Sequence, residues 1–175
     1  MRFPASFMLI AASNPCPCGF YGDPVKPCTC STSMVTRYRQ RISGPLMDRI
    51  DIHVEVPRVD YDKLTDERRG EPSSAVRARV EAARACQQER FAPSRENGRR
   101  PIYANAGMGA REVAQYATLS PDAEKLMRAA MQQMQLSARG YHRVLKLSRT
   151  IADLDGSEAI GTQHVAEALQ YRARS

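Results

Sequence analysis

Two short stretches near the start of the chain have the hydrophobic pattern of β-strands. Residues 7–12 (FMLIAA) form an uninterrupted apolar run, as in a central strand of a parallel sheet. Residues 50–56 (IDIHVEV) alternate apolar and polar side chains, which is the period of a strand with one buried face. Between them lie a loop rich in Pro, Gly and Cys and a helix that Ser33 can cap. Because a connection that contains a helix is typical of parallel strands, we expect an α/β sheet here.

After the second predicted strand, the apolar residues recur at the spacing of helices. Residues 73–91 and 138–155 each carry an apolar face of helical period. Ser120 with Pro121 is a helix start signal between them, and Thr162 can cap a last helix. The predicted division of the chain is an α/β part at 1–57, a connecting helix and loop at 58–100 and an all-α bundle at 101–175.

The charge balance of the 175-residue chain is basic, with a formal net charge of +7. Such a balance favours a polyanionic partner, nucleic acid or nucleotide, although a solvated basic surface explains it equally well. No apolar run reaches the roughly 20 residues of a transmembrane helix. The run at 7–12 is also shorter than the apolar core of a secretory signal. We therefore expect a cytoplasmic protein without a membrane partner.

Four of the five cysteines lie close together, in the spacing C-x-C-x9-C-x-C. In a cytoplasmic chain such a cluster is more often a metal site than a disulfide framework. Four thiolates can surround one Zn²⁺ tetrahedrally, and Gly19 and Gly22 permit the turns that bring the two pairs together. The usual spacing is C-x2-C, so four reduced cysteines in a loop remain the alternative. The predicted zinc ligands are Cys16, Cys18, Cys28 and Cys30.

Long stretches of the sequence resemble one protein family. FPASFMLIAASNPCPCGFYGDP and RYRQRISGPLMDRIDIHVEVP near the start are similar to the bacterial Mg-chelatase-like AAA+ ATPases, in their competence-associated group. SARGYHRVLKLSRTIADLDG and HVAEALQYR near the end match the same family, and the resemblance is weakest at 65–100. It implies the α/β tail of an AAA+ core followed by an all-α lid bundle, so that this chain is mostly helical.

The resemblance also implies a function for the longer protein. Members of the family are ATP-driven, and we expect this one to be a hexameric motor on DNA. The competence-associated members act as branch-migration helicases during transformation. The implied cofactors are ATP and Mg²⁺, and the implied partners are DNA and further copies of the same protein in a ring.

One part of the family pattern is missing from this chain. It contains no G-x4-G-K-[ST] phosphate loop, and no apolar strand ends in Asp-Glu to hold Mg²⁺. We therefore expect a C-terminal fragment that begins at the sensor-1 strand and has no ATPase activity by itself.

Two polar residues match nucleotide-sensing positions of the family. Asn14 stands where the family has sensor 1, whose amide can orient the attacking water. From the residues alone, an Asn before Pro15 is more simply explained as a turn residue. Arg139 matches sensor 2 near the start of the long helix, and Arg143 one turn further on could share its role of binding ATP.

Arg49, in GPLMDRIDI, matches the arginine-finger region of related ring ATPases. The planar, permanently charged guanidinium of an arginine can stabilise a phosphate that develops negative charge. A simple ion pair with Asp48 or Asp51 is the structural alternative. Arg41, on the preceding helix, is the competing candidate for the finger.

Two other functions remain open at this point. The chain could belong to the motor subunit of a metal chelatase, which remodels a partner protein; the Cys loop argues weakly against this. It could also be a zinc-stabilised nucleic-acid-binding module without catalysis.

Overall fold

The computed structural model of the chain describes residues 7–59, 70–96 and 101–172. The chain divides into two compact units, Met1–Met47 and Asp48–Ser175. No helix in the described ranges combines the length and apolar character needed to cross a membrane. The helices are α1 (Thr32–Arg39), α2 (Gly44–Met47), α3 (Ser73–Arg90), α4 (Ala92–Glu96), α5 (Ala110–Tyr116), α6 (Pro121–Gln133), α7 (Ala138–Leu154) and α8 (Thr162–Gln170), with a 3₁₀ turn at Asn105–Gly107.

The first unit consists of a Cys-containing loop followed by α1 and α2. The predicted helix near Ser33 is confirmed, but its cap is Ser31, whose hydroxyl accepts the Met34 N–H at 3.3 Å. Both serines can serve as a cap, and their hydroxyls lie 3.0 Å apart. Among the described residues of this unit, the buried apolar side chains are Cys16 and Val35, so its hydrophobic core is very small.

The two predicted strands are not formed within the described residues. In the first, Phe7 and Ile10 are 77% and 86% exposed instead of buried. In the second, the His53 N–H donates to the Tyr171 carbonyl at 2.8 Å, which ties the segment to the end of α8. A strand is stable when its backbone groups pair with a neighbouring strand, and the described ranges contain no such neighbour. The α/β character expected for 1–57 is therefore not shown, and the described chain is mostly helical.

The second unit is a helical bundle built around α7. This helix packs against α8, α3, α5 and the 3₁₀ turn. The predicted helix at 138–155 agrees with the observed Ala138–Leu154, and the helix at 73–91 agrees with Ser73–Arg90. The largest buried core side chains are Phe91, Met127, Val144, Ile160 and Val165.

Local signals set the ends of the bundle helices. The Ser120 hydroxyl accepts the Ala123 N–H at 3.3 Å and caps α6, as predicted. Gly156 follows α7 with φ of +69°, a left-handed conformation that favours glycine. The predicted cap of α8, Thr162, is wrong. Gly161 precedes the helix instead, and its N–H donates to His164 Nδ1 at 3.0 Å.

A buried carboxylate joins three elements of the bundle. Asp153 of α7 accepts hydrogen bonds from Arg90 of α3 at 2.8 and 2.5 Å and from Asn105 of the 3₁₀ turn at 2.8 Å. Arg149, one turn before it, donates from Nε at 2.9 Å. Burial raises the pKa of Asp153, but the hydrogen bonds from Arg90 and Asn105 outweigh it and hold the pKa below its ordinary value.

Replacing Asp153 by Asn is expected to lower the free energy of unfolding by about 3–5 kcal/mol, because it leaves two largely buried arginines without their carboxylate. The matched control is Asp122→Asn. It breaks an exposed pair with Lys125 and should cost at most about 1 kcal/mol. Urea unfolding followed by circular dichroism measures both. Equal stability of the two variants would contradict the structural role of Asp153.

The stabilisation by Asp153 also depends on pH. Because the folded pKa is depressed, the contribution is present above the ordinary carboxyl pKa of about 3.9. It is lost as the pH falls through the lower folded value. The stability difference between the native protein and Asp153→Asn should therefore shrink in acid and be full at neutral pH.

Candidate functional site

The four clustered cysteines are brought together in the first unit. Their Sγ atoms all lie within 4.8 Å of one another. Zn–S bonds of about 2.3 Å in a tetrahedron would place the sulfurs about 3.8 Å apart, whereas a disulfide needs about 2.05 Å. The donor set and its spacing therefore fit one tetrahedral Zn²⁺. The Sγ–Sγ distances are 3.3 Å for Cys16–Cys18, 3.7 Å for Cys16–Cys28 and 3.5 Å for Cys18–Cys28.

Two glycines shape the loop that carries these cysteines. Gly19 and Gly22 have φ of +85° and +82°, a conformation that other residues rarely adopt. The Gly19 N–H donates to the Cys16 carbonyl at 3.0 Å and closes the first turn. The predicted role of both glycines is confirmed. A side chain at either position would strain the turn that brings the two cysteine pairs together.

The thiols of the cluster do not ionise alike. The backbone N–H groups of Phe20 and Thr29 lower the pKa of Cys18 to about 5. The backbone N–H of Cys30 also lowers the pKa of Cys28, but burial and the neighbouring thiols raise it to about 12. Burial raises the pKa of Cys16, but the backbone N–H groups of Tyr21 and Gly19 and the Cys28 thiol hold it below its ordinary value. Cys16 and Cys18 therefore ionise more easily than Cys28 and Cys30, and repulsion between thiolates opposes the ionisation of all four. A divalent cation removes this repulsion, since a thiol that binds Zn²⁺ is deprotonated.

Asn14 lies in the first unit, immediately before the Cys loop. Its side chain is exposed, and its Cγ would lie 4.0 Å from a Cβ at Gly19. The amide is therefore available to an incoming group next to the cysteine turn. The three predicted arginines belong to the second unit.

Arg49 follows α2 and is exposed. The two carboxylates beside it in sequence contact one arginine of α7 and one that lies just after α8. Asp48 accepts from Arg172 Nη2 at 3.3 Å, and Asp51 forms an ion pair with Arg143. The segment that carries Arg49 is thus held against the end of the bundle.

Arg139 and Arg143 lie one turn apart at the start of α7. Arg139 is exposed, and no carboxylate pairs with it within the described ranges. A cation in the first turn opposes the helix dipole, which favours an anionic ligand. Arg143 is already paired with Asp51, so Arg139 is the more available of the two.

One basic residue of this face was not predicted. Lys146 follows Arg143 by three positions and lies on the same side of α7. Its ammonium donates to the Ala106 carbonyl at 3.2 Å. Burial, and then the positive charge of Arg143, lower the pKa of Lys146. The spacing of residues 139, 143 and 146 along one helix face was the sequence pattern from which Lys146 could have been predicted.

Two family models together match most of the chain. The model described as "Magnesium chelatase, subunit ChlI C-terminal" matches residues 70–172, which is more than half of the sequence. This chain belongs to the magnesium-chelatase-like family of AAA+ ATPases. The family's second model, "Magnesium chelatase, subunit ChlI", matches residues 1–64. The family resemblance of the sequence is thereby confirmed.

Curated members of the family align with almost the entire chain. The "Competence protein ComM" of Haemophilus influenzae is 38% identical over 174 residues, which are 99% of this chain and 32% of the relative. The YifB proteins of Salmonella typhimurium and Escherichia coli are each 37% identical over 99% of this chain and 32% of the relative. The chain thus spans about a third of the length of these relatives.

Proposed function

We propose that this chain is the C-terminal part of a cytoplasmic, ring-forming AAA+ ATPase that moves DNA. The observation that carries the proposal is the 38% identity to a competence protein over 99% of the chain. The net charge of +7 is in keeping with a polyanionic partner. A phosphate loop outside this sequence would bind most of the ATP and its Mg²⁺.

In the proposed ring, residues of this chain act on the γ-phosphate. Asn14 orients the attacking water, and Arg139 binds phosphate oxygens. Arg143 shares this role only if it leaves Asp51, with which it is paired. Arg49 reaches the ATP of a neighbouring subunit, where its planar charge offsets the negative charge that develops during transfer.

The proposed metal has a structural role. All four ligands are thiolates of this chain, and a closed tetrahedral set leaves no position for substrate. Cys16, Cys18, Cys28 and Cys30 would hold Zn²⁺ and fix the loop that follows Asn14. The metal thus positions the loop and takes no part in the reaction.

The test is whether DNA stimulates ATP hydrolysis by the full-length protein. Stimulation by DNA supports the motor. The alternative, a chelatase motor subunit, has a protein as its partner, so it predicts turnover that does not respond to DNA.

A further inference from the structure

The first unit carries a basic and aromatic surface that the nucleotide-sensing roles do not use. The Lys26 ammonium lies 4.0 Å from the centre of the Phe20 ring. The Arg39 guanidinium lies 4.6 Å from the centre of the Tyr21 ring. Tyr21 is 45% exposed although its ring packs against Arg39. Two aromatic rings, each next to a cation, thus lie on the Cys loop. We refer to Phe20, Tyr21, Lys26 and Arg39 as the loop–α1 surface.

The charged side chains around the loop–α1 surface are mostly basic. The sequence of residues 7–47 contains a single acidic residue, Asp23. Its Oδ1 accepts hydrogen bonds from the backbone N–H groups of Val25 and Lys26, both at 2.8 Å. That carboxylate therefore stabilises its own turn. Even beside a zinc tetrathiolate, whose formal charge is negative, this stretch keeps a positive net charge. Its basic residues, all exposed, are Lys26, Arg37, Arg39 and Arg41.

We propose that the loop–α1 surface binds single-stranded DNA. Aromatic rings stack on unpaired bases while neighbouring cations follow the phosphate backbone. A duplex hides the faces of its bases, so the exposed Tyr21 ring favours the single strand. The inference rests on the proposed DNA motor and adds the surface and the form of DNA that it binds.

Binding of labelled oligo-dT of about 20 nucleotides to the zinc-loaded chain, measured by fluorescence anisotropy, tests the surface. Tyr21→Ala should weaken binding about tenfold, because a base can no longer stack on the ring. Lys26→Gln combined with Arg39→Gln should flatten the dependence of log affinity on log salt by about 0.7 for each phosphate that is no longer neutralised. The matched controls, Tyr103→Ala and Arg128→Gln, change exposed residues of the second unit and should bind as the native chain does.

Three results would overturn the inference: no binding by the zinc-loaded chain, native affinity in both surface variants, or tighter binding to duplex than to single strand. Zinc content, measured in each variant, separates a weakened DNA surface from an unfolded loop. In the full-length protein, the same substitutions should leave basal ATP hydrolysis unchanged, and Tyr21→Ala should raise the concentration of single-stranded DNA that gives half-maximal stimulation about tenfold. An unchanged half-maximal concentration in these variants refutes the surface but not the DNA motor. A native protein that DNA does not stimulate refutes the motor itself.

Discussion

Replacing Arg49 by Ala in the full-length ring is expected to slow ATP turnover by about 10³- to 10⁵-fold, the usual effect of losing an arginine finger. ATP affinity should stay largely intact, because the proposed finger acts on the nucleotide of the neighbouring subunit. Arg49 is an exposed residue just after α2, on a segment held by the end of the bundle. Steady-state turnover and nucleotide binding, measured on the same preparation, separate the two effects.

A second variant and a mixed-ring experiment test the role of Arg49 further. Arg41→Ala removes the competing candidate and should change turnover little. Rings that mix Arg49→Ala subunits with subunits lacking a working phosphate loop should recover activity, since the second kind supplies Arg49 to an intact neighbouring site. Verified mixed rings that stay inactive would exclude action between subunits. Normal turnover by Arg49→Ala would refute the finger and shift the role to Arg41 or Arg139.

Removing the proposed zinc is expected to unfold the first unit and leave the second folded. In the described part of the first unit, the buried apolar side chains are Cys16 and Val35. So small a hydrophobic core cannot keep the loop folded without a cross-link. Site formation and folding are coupled in such small metal-bound modules. The second unit has its own core of packed helices. Hydrogen exchange with and without a strong chelator should show that protection disappears at 15–40 and persists in α7.

Elemental analysis of protein expressed with added zinc and purified without chelator should give one zinc per chain. Cys18→Ser should lose the metal and the protection of the loop. Cys86→Ser is the matched control, because Cys86 is an exposed thiol of α3 outside the cluster, and it should retain the zinc. Metal content near zero, with four freely titrating thiols in the cluster, would contradict the site.

The helices were predictable because their signals are local. Helical periodicity and a start signal such as Ser120 with Pro121 depend on neighbouring residues, and α3, α6 and α7 lie where the sequence places them. Strand pairing depends on a partner from elsewhere in a chain, so the apolar run at 7–12 predicted a strand that the described residues do not form.

The same distinction applies to the candidate site. The cysteine cluster was predictable because its four members fall within one short loop whose glycines permit the turns. The buried network of Asp153 was not, because Arg90 and Asn105 are 63 and 48 positions away and carry no shared motif. The exposure of Arg139 and the pairing of Arg143 likewise depend on packing against a distant segment.

ATP hydrolysis by the full-length protein, with and without DNA, tests the proposed motor most directly. We predict that single-stranded DNA raises the rate several-fold over the basal value and that the 175-residue chain alone releases no phosphate above the buffer blank. Arg49→Ala, assayed in parallel, excludes a contaminating ATPase because it should abolish both the basal and the stimulated rate. A full-length ring whose turnover is the same with and without DNA would contradict the account.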